Sequence, residues 1–103
     1  DKTLIKVGDL TLDLVNRKVL RGDQEIDLQS KEFQLLECLL RHKGKVVTRS
    51  MLLEQVWNYH FDPQTNVIDV HISRLRQKVD KAFNVPLIET VRGTGYRIAD
   101  ELA

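Results

Sequence analysis

From Leu4 to Leu28 apolar and polar positions alternate in short runs: Leu4-Ile5-Lys6-Val7, Leu10-Thr11-Leu12-Asp13-Leu14, Lys18-Val19-Leu20 and Glu25-Ile26-Asp27-Leu28. A period near two is that of strands burying one face. Gly8-Asp9, Val15-Asn16-Arg17 and Arg21-Gly22-Asp23-Gln24 separate the runs, with Gly, Asn and Asp tolerating the positive φ of tight turns. The pattern predicts an antiparallel meander of four strands whose single apolar face needs a covering layer.

The period then lengthens to that of a helix. Phe33, Leu36 and Leu40 with Leu35 and Leu39 form a broad stripe, predicting a core helix that runs to about Arg41. Its cap is Ser30 or, less conventionally, Gln29, with Glu32 in the positive first turn. Arg41, His42 and Lys43 suit the negative end, and Gly44 terminates it. Thr48 caps a second predicted helix through about Trp57, pairing Leu52 with Val56 and Leu53 with Trp57 at i, i+4. Asn58 to Thr65 is a loop rich in aromatics, and Pro63 keeps the helix from continuing through it. A third helix is predicted from about Asn66 to Lys81 or Ala82, with Ile68, Ile72, Leu75 and Val79 in a stripe roughly 60° wide. Opposite that stripe lie Asn66, Val70, Ser73, Arg74, Gln77 and Lys81. After Asn84-Val85-Pro86, the runs Leu87 to Val91 and Tyr96 to Ala99 flank Arg92-Gly93-Thr94-Gly95, the spacing of a tight hairpin.

At 103 residues and 42% hydrophobic, the chain has room for one domain and one core, without a cleft between two lobes. Five Gly and two Pro set aside collagen-like and low-complexity classes. Cys38, the single cysteine, has no partner for an internal disulfide and sits in the run Leu35 to Leu40, where it reads as a small buried hydrophobe in a reducing compartment. The expected location is cytoplasmic. No apolar run approaches the roughly 18 residues that span a bilayer, and a start at Asp1 with neither Met nor signal pattern suggests a piece of a longer protein. Charge is almost balanced, 16 Lys plus Arg against 15 Asp plus Glu, but unevenly distributed. Residues 1–40 carry six basic and eight acidic side chains, and residues 66–97 six basic and three acidic, which makes the C-terminal part the candidate face for a polyanion.

Three helices followed by a hairpin, behind a four-stranded antiparallel sheet, describe an α+β winged helix-turn-helix. The exposed stripe of the third helix presents the chemistry that reads base edges: Arg74 for guanine acceptors, Gln77 or Asn66 for the donor and acceptor pair of adenine, Val70 for a thymine methyl. Ser73 lies among them. Arg76 projects toward Asp69 and Asp80, as a phosphate contact or as an intramolecular ion pair. His71, beside the stripe, either approaches a phosphate or is structural, and Lys78 adds a cation to the same helix. Arg92 at the hairpin tip suits a narrow minor groove. Gly93 and Gly95 permit the turn and a close approach to a sugar-phosphate chain. No catalytic arrangement is apparent. His42, His60 and His71 are scattered and have no metal-ligand spacing, so neither an enzyme nor a cofactor is expected. A second function class stays open, a winged-helix module that binds only protein through the aromatic loop from Trp57 to Phe61.

The segment Asn66-Val67-Ile68-Asp69-Val70-His71-Ile72-Ser73-Arg74-Leu75-Arg76-Gln77-Lys78, with Glu89-Thr90-Val91-Arg92-Gly93-Thr94-Gly95-Tyr96-Arg97, resembles the OmpR/PhoB-type effector domain of two-component response regulators. The likeness extends to Lys31-Glu32-Phe33 and Leu35-Leu36, to Arg49, Leu52-Leu53 and Val56-Trp57, and to the N-terminal meander. It implies a bacterial transcription regulator whose absent receiver domain, phosphorylated through a sensor kinase, delivers two such domains head to tail to direct-repeat half-sites on double-stranded DNA. The isolated domain is expected to be monomeric. The resemblance further implies that the third helix enters the major groove, that Arg92 reaches the minor groove, and that Thr90, Thr94 and Tyr96 fix the wing on the DNA backbone. The loop Asn58, Tyr59, His60, Phe61 and Asp62 is implied to meet RNA polymerase. Gln29-Ser30 stands where the family often has Thr-Pro, and Ser73 where it often has a basic residue.

Overall fold

The alternation between Leu4 and Ile26 resolves into four antiparallel strands in the computed structural model, which describes residues 3–60, 63–80 and 87–98. They are β1 (Leu4–Val7), β2 (Leu10–Asp13), β3 (Lys18–Arg21) and β4 (Gln24–Ile26), in spatial order β1-β2-β3-β4. The register sets Leu12 opposite Val19 and Val19 opposite Ile26, so the apolar alternates share one buried face with Val7 and Leu10. Arg21 falls in phase with Val19 and is buried on that face, only 3% exposed.

The helix α1 (Ser30–Arg41) covers the sheet. Gln29, rather than Ser30, is its N-cap, and the backbone N–H of Gln29 donates to Glu32 Oε1 at 2.9 Å. Ser30 is instead the first helical residue, its hydroxyl accepting from Gln34 Nε2. Phe33, Leu35, Leu36, Leu39 and Leu40 are each no more than 3% exposed, and burying one such side chain contributes about 1.5–3 kcal/mol. Cys38 joins this core, and burial pushes its thiol up from the usual range.

The strand β5 (Val47–Thr48) leads into α2 (Arg49–Trp57), whose first turn is capped by Thr48 Oγ1 accepting from the Met51 N–H at 3.2 Å. The helix α3 (Val67–Val79) follows, then β6 (Ile88–Val91) and β7 (Gly95–Ile98). The hairpin is not two-stranded as expected. β5 pairs with β7, Val47 opposite Tyr96 and Thr48 opposite Gly95, giving a three-stranded sheet in the order β5-β7-β6. Both sheets and all three helices contribute to one core. The expected extension of the third helix to Lys81 or Ala82, the turn Asn84-Val85-Pro86, and Phe61, Asp62 and Ala99 lie outside the described residues. No helix among the described residues is long and apolar enough to cross a membrane.

Candidate nucleic-acid interface

The seam of α3 is apolar at every turn: Ile68, Ile72, Leu75 and Val79 are at most 1% exposed. Helical geometry therefore turns the opposite stripe outward. Ser73, Arg74 and Gln77 are exposed on it, Asn66 is exposed at the N-cap, and Val70 is half-buried among them. Among the described residues nothing within the domain pairs with the Arg74 guanidinium. Lys81, expected on this stripe, lies outside the described residues.

One flank of α3 is tied to the rest of the helical layer. Lys78 Nζ sits 2.7 Å from Glu32 Oε1, and Glu32 is 1% exposed. Burial pushes the Glu32 carboxyl up, but hydrogen bonds from Lys78 and the Gln29 N–H, with the Lys78 charge, outweigh it and hold the group below its usual range. Lys78 is thus a strut between α3 and α1. His71 has partners within the domain. Its Nδ1 is 2.8 Å from the Val67 carbonyl, and its ring meets Trp57 edge-on with centroids 5.0 Å apart.

The other flank faces the wing. Arg76 forms no ion pair with Asp69 or Asp80. It donates to Thr90 Oγ1, and its guanidinium carbon lies 5.6 Å from the centre of the Tyr96 ring. Asp69 accepts from the Tyr96 hydroxyl at 2.5 Å. Burial and then the Asp69 carboxylate push the Tyr96 phenol up to about 12, so it stays a donor at neutral pH. Asp80, the C-cap of α3, accepts from the backbone N–H of Leu87 and of Ile88, each at 3.0 Å, and lies 3.7 Å from Arg21 Nη1. Arg21 also donates to the Val79 carbonyl and pairs with Asp9 Oδ1 at 2.8 Å. The composition of the chain does not single out Arg21, Asp69 or Asp80. The one signal for Arg21 is its place two residues after Val19.

At the wing tip the Thr94 N–H returns to the Val91 carbonyl, closing a turn in which Gly93 has φ +76°. Arg92 and Thr94 are exposed there, and no described residue pairs with Arg92. Thr90 is exposed, but its hydroxyl already accepts from Arg76. Gly95 serves a close approach within the domain. A Cβ there would stand 2.1 Å from the Val47 carbonyl oxygen, so its missing side chain admits β5. Between α2 and α3, Asn58 has a left-handed φ of +59°, and the Tyr59 N–H returns to the Leu53 carbonyl at 2.9 Å. Arg49 donates to the Thr65 carbonyl and anchors the far end of the loop. Tyr59 is 38% exposed and His60 is exposed.

The exposed residues thus form one polar stripe with a cation at its centre and a second cation on a projecting hairpin. Residues 23–98 match the family described as "Transcriptional regulatory protein, C terminal". The transcriptional regulatory protein CusR of Escherichia coli is 54% identical over 93 residues, covering 90% of this chain and 41% of that protein. TcrA of Mycobacterium tuberculosis is 47% identical, over 91% of this chain and 37% of its own length. The chain therefore spans about two fifths of these relatives. Among solved structures, the Klebsiella pneumoniae RstA DNA-binding domain in complex with the RstA box superposes with a TM-score of 0.86 at 37% identity, over 96% of this chain and 99% of that one. The DNA-binding domain of CpxR from E. coli gives 0.84 at 33% identity, over 96% and 98%.

Proposed function

The chain belongs to the family of C-terminal domains of transcriptional regulatory proteins, and on that premise we propose that it is the sequence-specific DNA-binding output domain of a two-component response regulator. One observation carries the reading: the face of α3 opposite its buried seam offers Asn66, Val70, Ser73, Arg74 and Gln77, with Arg74 unpaired among the described residues. Two amides, a methyl pair, a hydroxyl and a guanidinium on one stripe match the donor and acceptor pattern of the major groove. Arg92 and Thr94 at the wing tip are placed to meet the neighbouring minor groove and backbone. A receiver domain acted on by a sensor kinase, direct-repeat half-sites occupied head to tail, and action in the cytoplasm complete the proposal.

Arg74→Ala is expected to cost about 1–3 kcal/mol on the preferred duplex and far less on random DNA, with the fold intact. Equal losses on both would make Arg74 a phosphate contact. A salt titration of the native domain on mixed duplex tests the reading as a whole, because neutralising phosphates releases counterions and binding must weaken steeply as salt rises. Binding that ignores salt would favour a module for protein partners.

The loop between α2 and α3 is the proposed contact for RNA polymerase. Aromatics are enriched where proteins meet proteins, and Tyr59 and His60 are exposed. Replacing Tyr59 and His60 with Ser should leave DNA affinity within about twofold, whereas transcription from a dependent promoter falls much further. Lost DNA affinity would mean that the loop sets the angle of α3, and unchanged transcription would move the polymerase contact elsewhere.

A further inference from the structure

Asp69 is an exposed carboxylate on the flank of the helix whose outer stripe is the proposed DNA-reading face. A negative charge there repels phosphate, so in a domain selected only for attraction an amide would serve better. Its partner gives the reason for it. Asp69 holds the hydroxyl of Tyr96, which stands opposite Thr90 in the β6–β7 register. Seven residues further along α3, about 10 Å by helical rise, Arg76 holds the Thr90 hydroxyl and packs on the Tyr96 ring. Asp80 at the end of α3 holds the base of β6 through the Leu87 and Ile88 N–H groups, and Arg76 and Asp69 add two points of grip nearer the tip, at Thr90 and at Tyr96 opposite it. Arg92 is two residues from Thr90 and four from Tyr96, so the direction of the tip relative to Arg74 follows from this grip.

We propose that Asp69 is a positioning residue for DNA readout, which acts through Tyr96 to hold α3 and the wing at the angle that lets Arg74 and Arg92 engage adjacent grooves together. The inference rests on the DNA-binding reading above. A carboxylate in a first helical turn also favours the helix dipole, but that role predicts a loss of stability and no link to Arg92.

The test is a cycle of dissociation constants on a duplex selected with the native domain, for the native chain, Asp69→Asn, Arg92→Ala and the double variant. Arg92→Ala should cost about tenfold in the native background and less than about twofold in the Asp69→Asn background, because a wing at the wrong angle no longer delivers its cation. Asp69→Asn alone should weaken binding severalfold although it removes a negative charge. Tyr96→Phe, which keeps the ring under Arg76, should reproduce the loss of coupling and reads the same quantity should Asp69→Asn fail to fold. Without DNA, either variant should speed amide exchange at Arg92 and Thr94. Tighter binding by Asp69→Asn, an Arg92 penalty intact in both backgrounds or absent from the native one, or unchanged exchange at the tip would overturn the proposal. If the native domain binds no duplex in a salt-dependent way, the DNA reading fails, and amide exchange alone then decides whether Asp69 holds the wing.

Discussion

Gly95→Ala is expected to destabilise the domain by about 2–4 kcal/mol, which for a domain of this size lowers the melting temperature by roughly 10–20 °C. The added Cβ would lie 2.1 Å from the Val47 carbonyl oxygen and 2.9 Å from both the Val47 carbonyl carbon and the Thr48 Cα. All three atoms are backbone, so no side chain can rotate away, and relief requires β5 and β7 to separate. Separation breaks the pairing of Val47 with Tyr96 and of Thr48 with Gly95, and it loosens the seat of the wing. DNA affinity should fall with stability. Gly93→Ala is the control: its φ of +76° imposes strain, but nothing lies within 4 Å of the added atom, so the expected cost is only about 1–2 kcal/mol. Thermal melts that place Gly95→Ala level with Gly93→Ala would show that the two strands have room to spare.

Arg21→Met should cost about 3–5 kcal/mol, because removing one partner leaves a buried charge uncompensated. The Arg21 side chain is 1% exposed and that of Asp80 6%. In the variant Asp80 keeps the two N–H groups of Leu87 and Ile88, but its positive neighbour is gone, and the Val79 carbonyl at the end of α3 loses a donor. Met matches the length of the alkyl stem, so the loss reports charge more than volume. Asp9 contributes little to the expected effect, since its side chain is 52% exposed and screened by water. The double variant Arg21→Met with Asp80→Asn should recover part of the loss, and denaturant midpoints measure it. A double variant no better than the single one would mean that the contact with Val79 dominates.

Periodicity alone makes most of the fold legible. Strands of three or four residues declared themselves by alternation because one face of the N-terminal sheet is buried, and the seam of α3 emerged from helical spacing at Ile68, Ile72, Leu75 and Val79. β5 is invisible at that level, since a two-residue strand has no period and its partner lies almost fifty positions away. Arg21 reads as a turn residue because charge usually marks surface, and only Asp80, distant in sequence, accounts for its burial. The open stripe of Asn66, Val70, Ser73, Arg74 and Gln77 could be found from angles around one helix. The flanks could not. Whether the shoulders of α3 are free depends on what packs beside them, and here Glu32 and Trp57 claim Lys78 and His71, while Thr90 and Tyr96 claim Arg76. Gly95 marks a close approach of backbone that the sequence cannot assign to a partner, and the partner the structure shows is Val47.

The strand order β5-β7-β6 also sets a timetable for biosynthesis. Val47 leaves the ribosome's catalytic centre 49 residues before its partner Tyr96, a delay of about 2–10 s at ordinary elongation rates of 5–20 residues per second. Throughout that interval β5 lacks its partner strand, and within it α3 is completed before the hairpin that steadies it. The N-terminal meander, whose pairings all join neighbours in sequence, can form during the same interval. A nascent chain can therefore complete the N-terminal sheet before β5 gains its partner in β7.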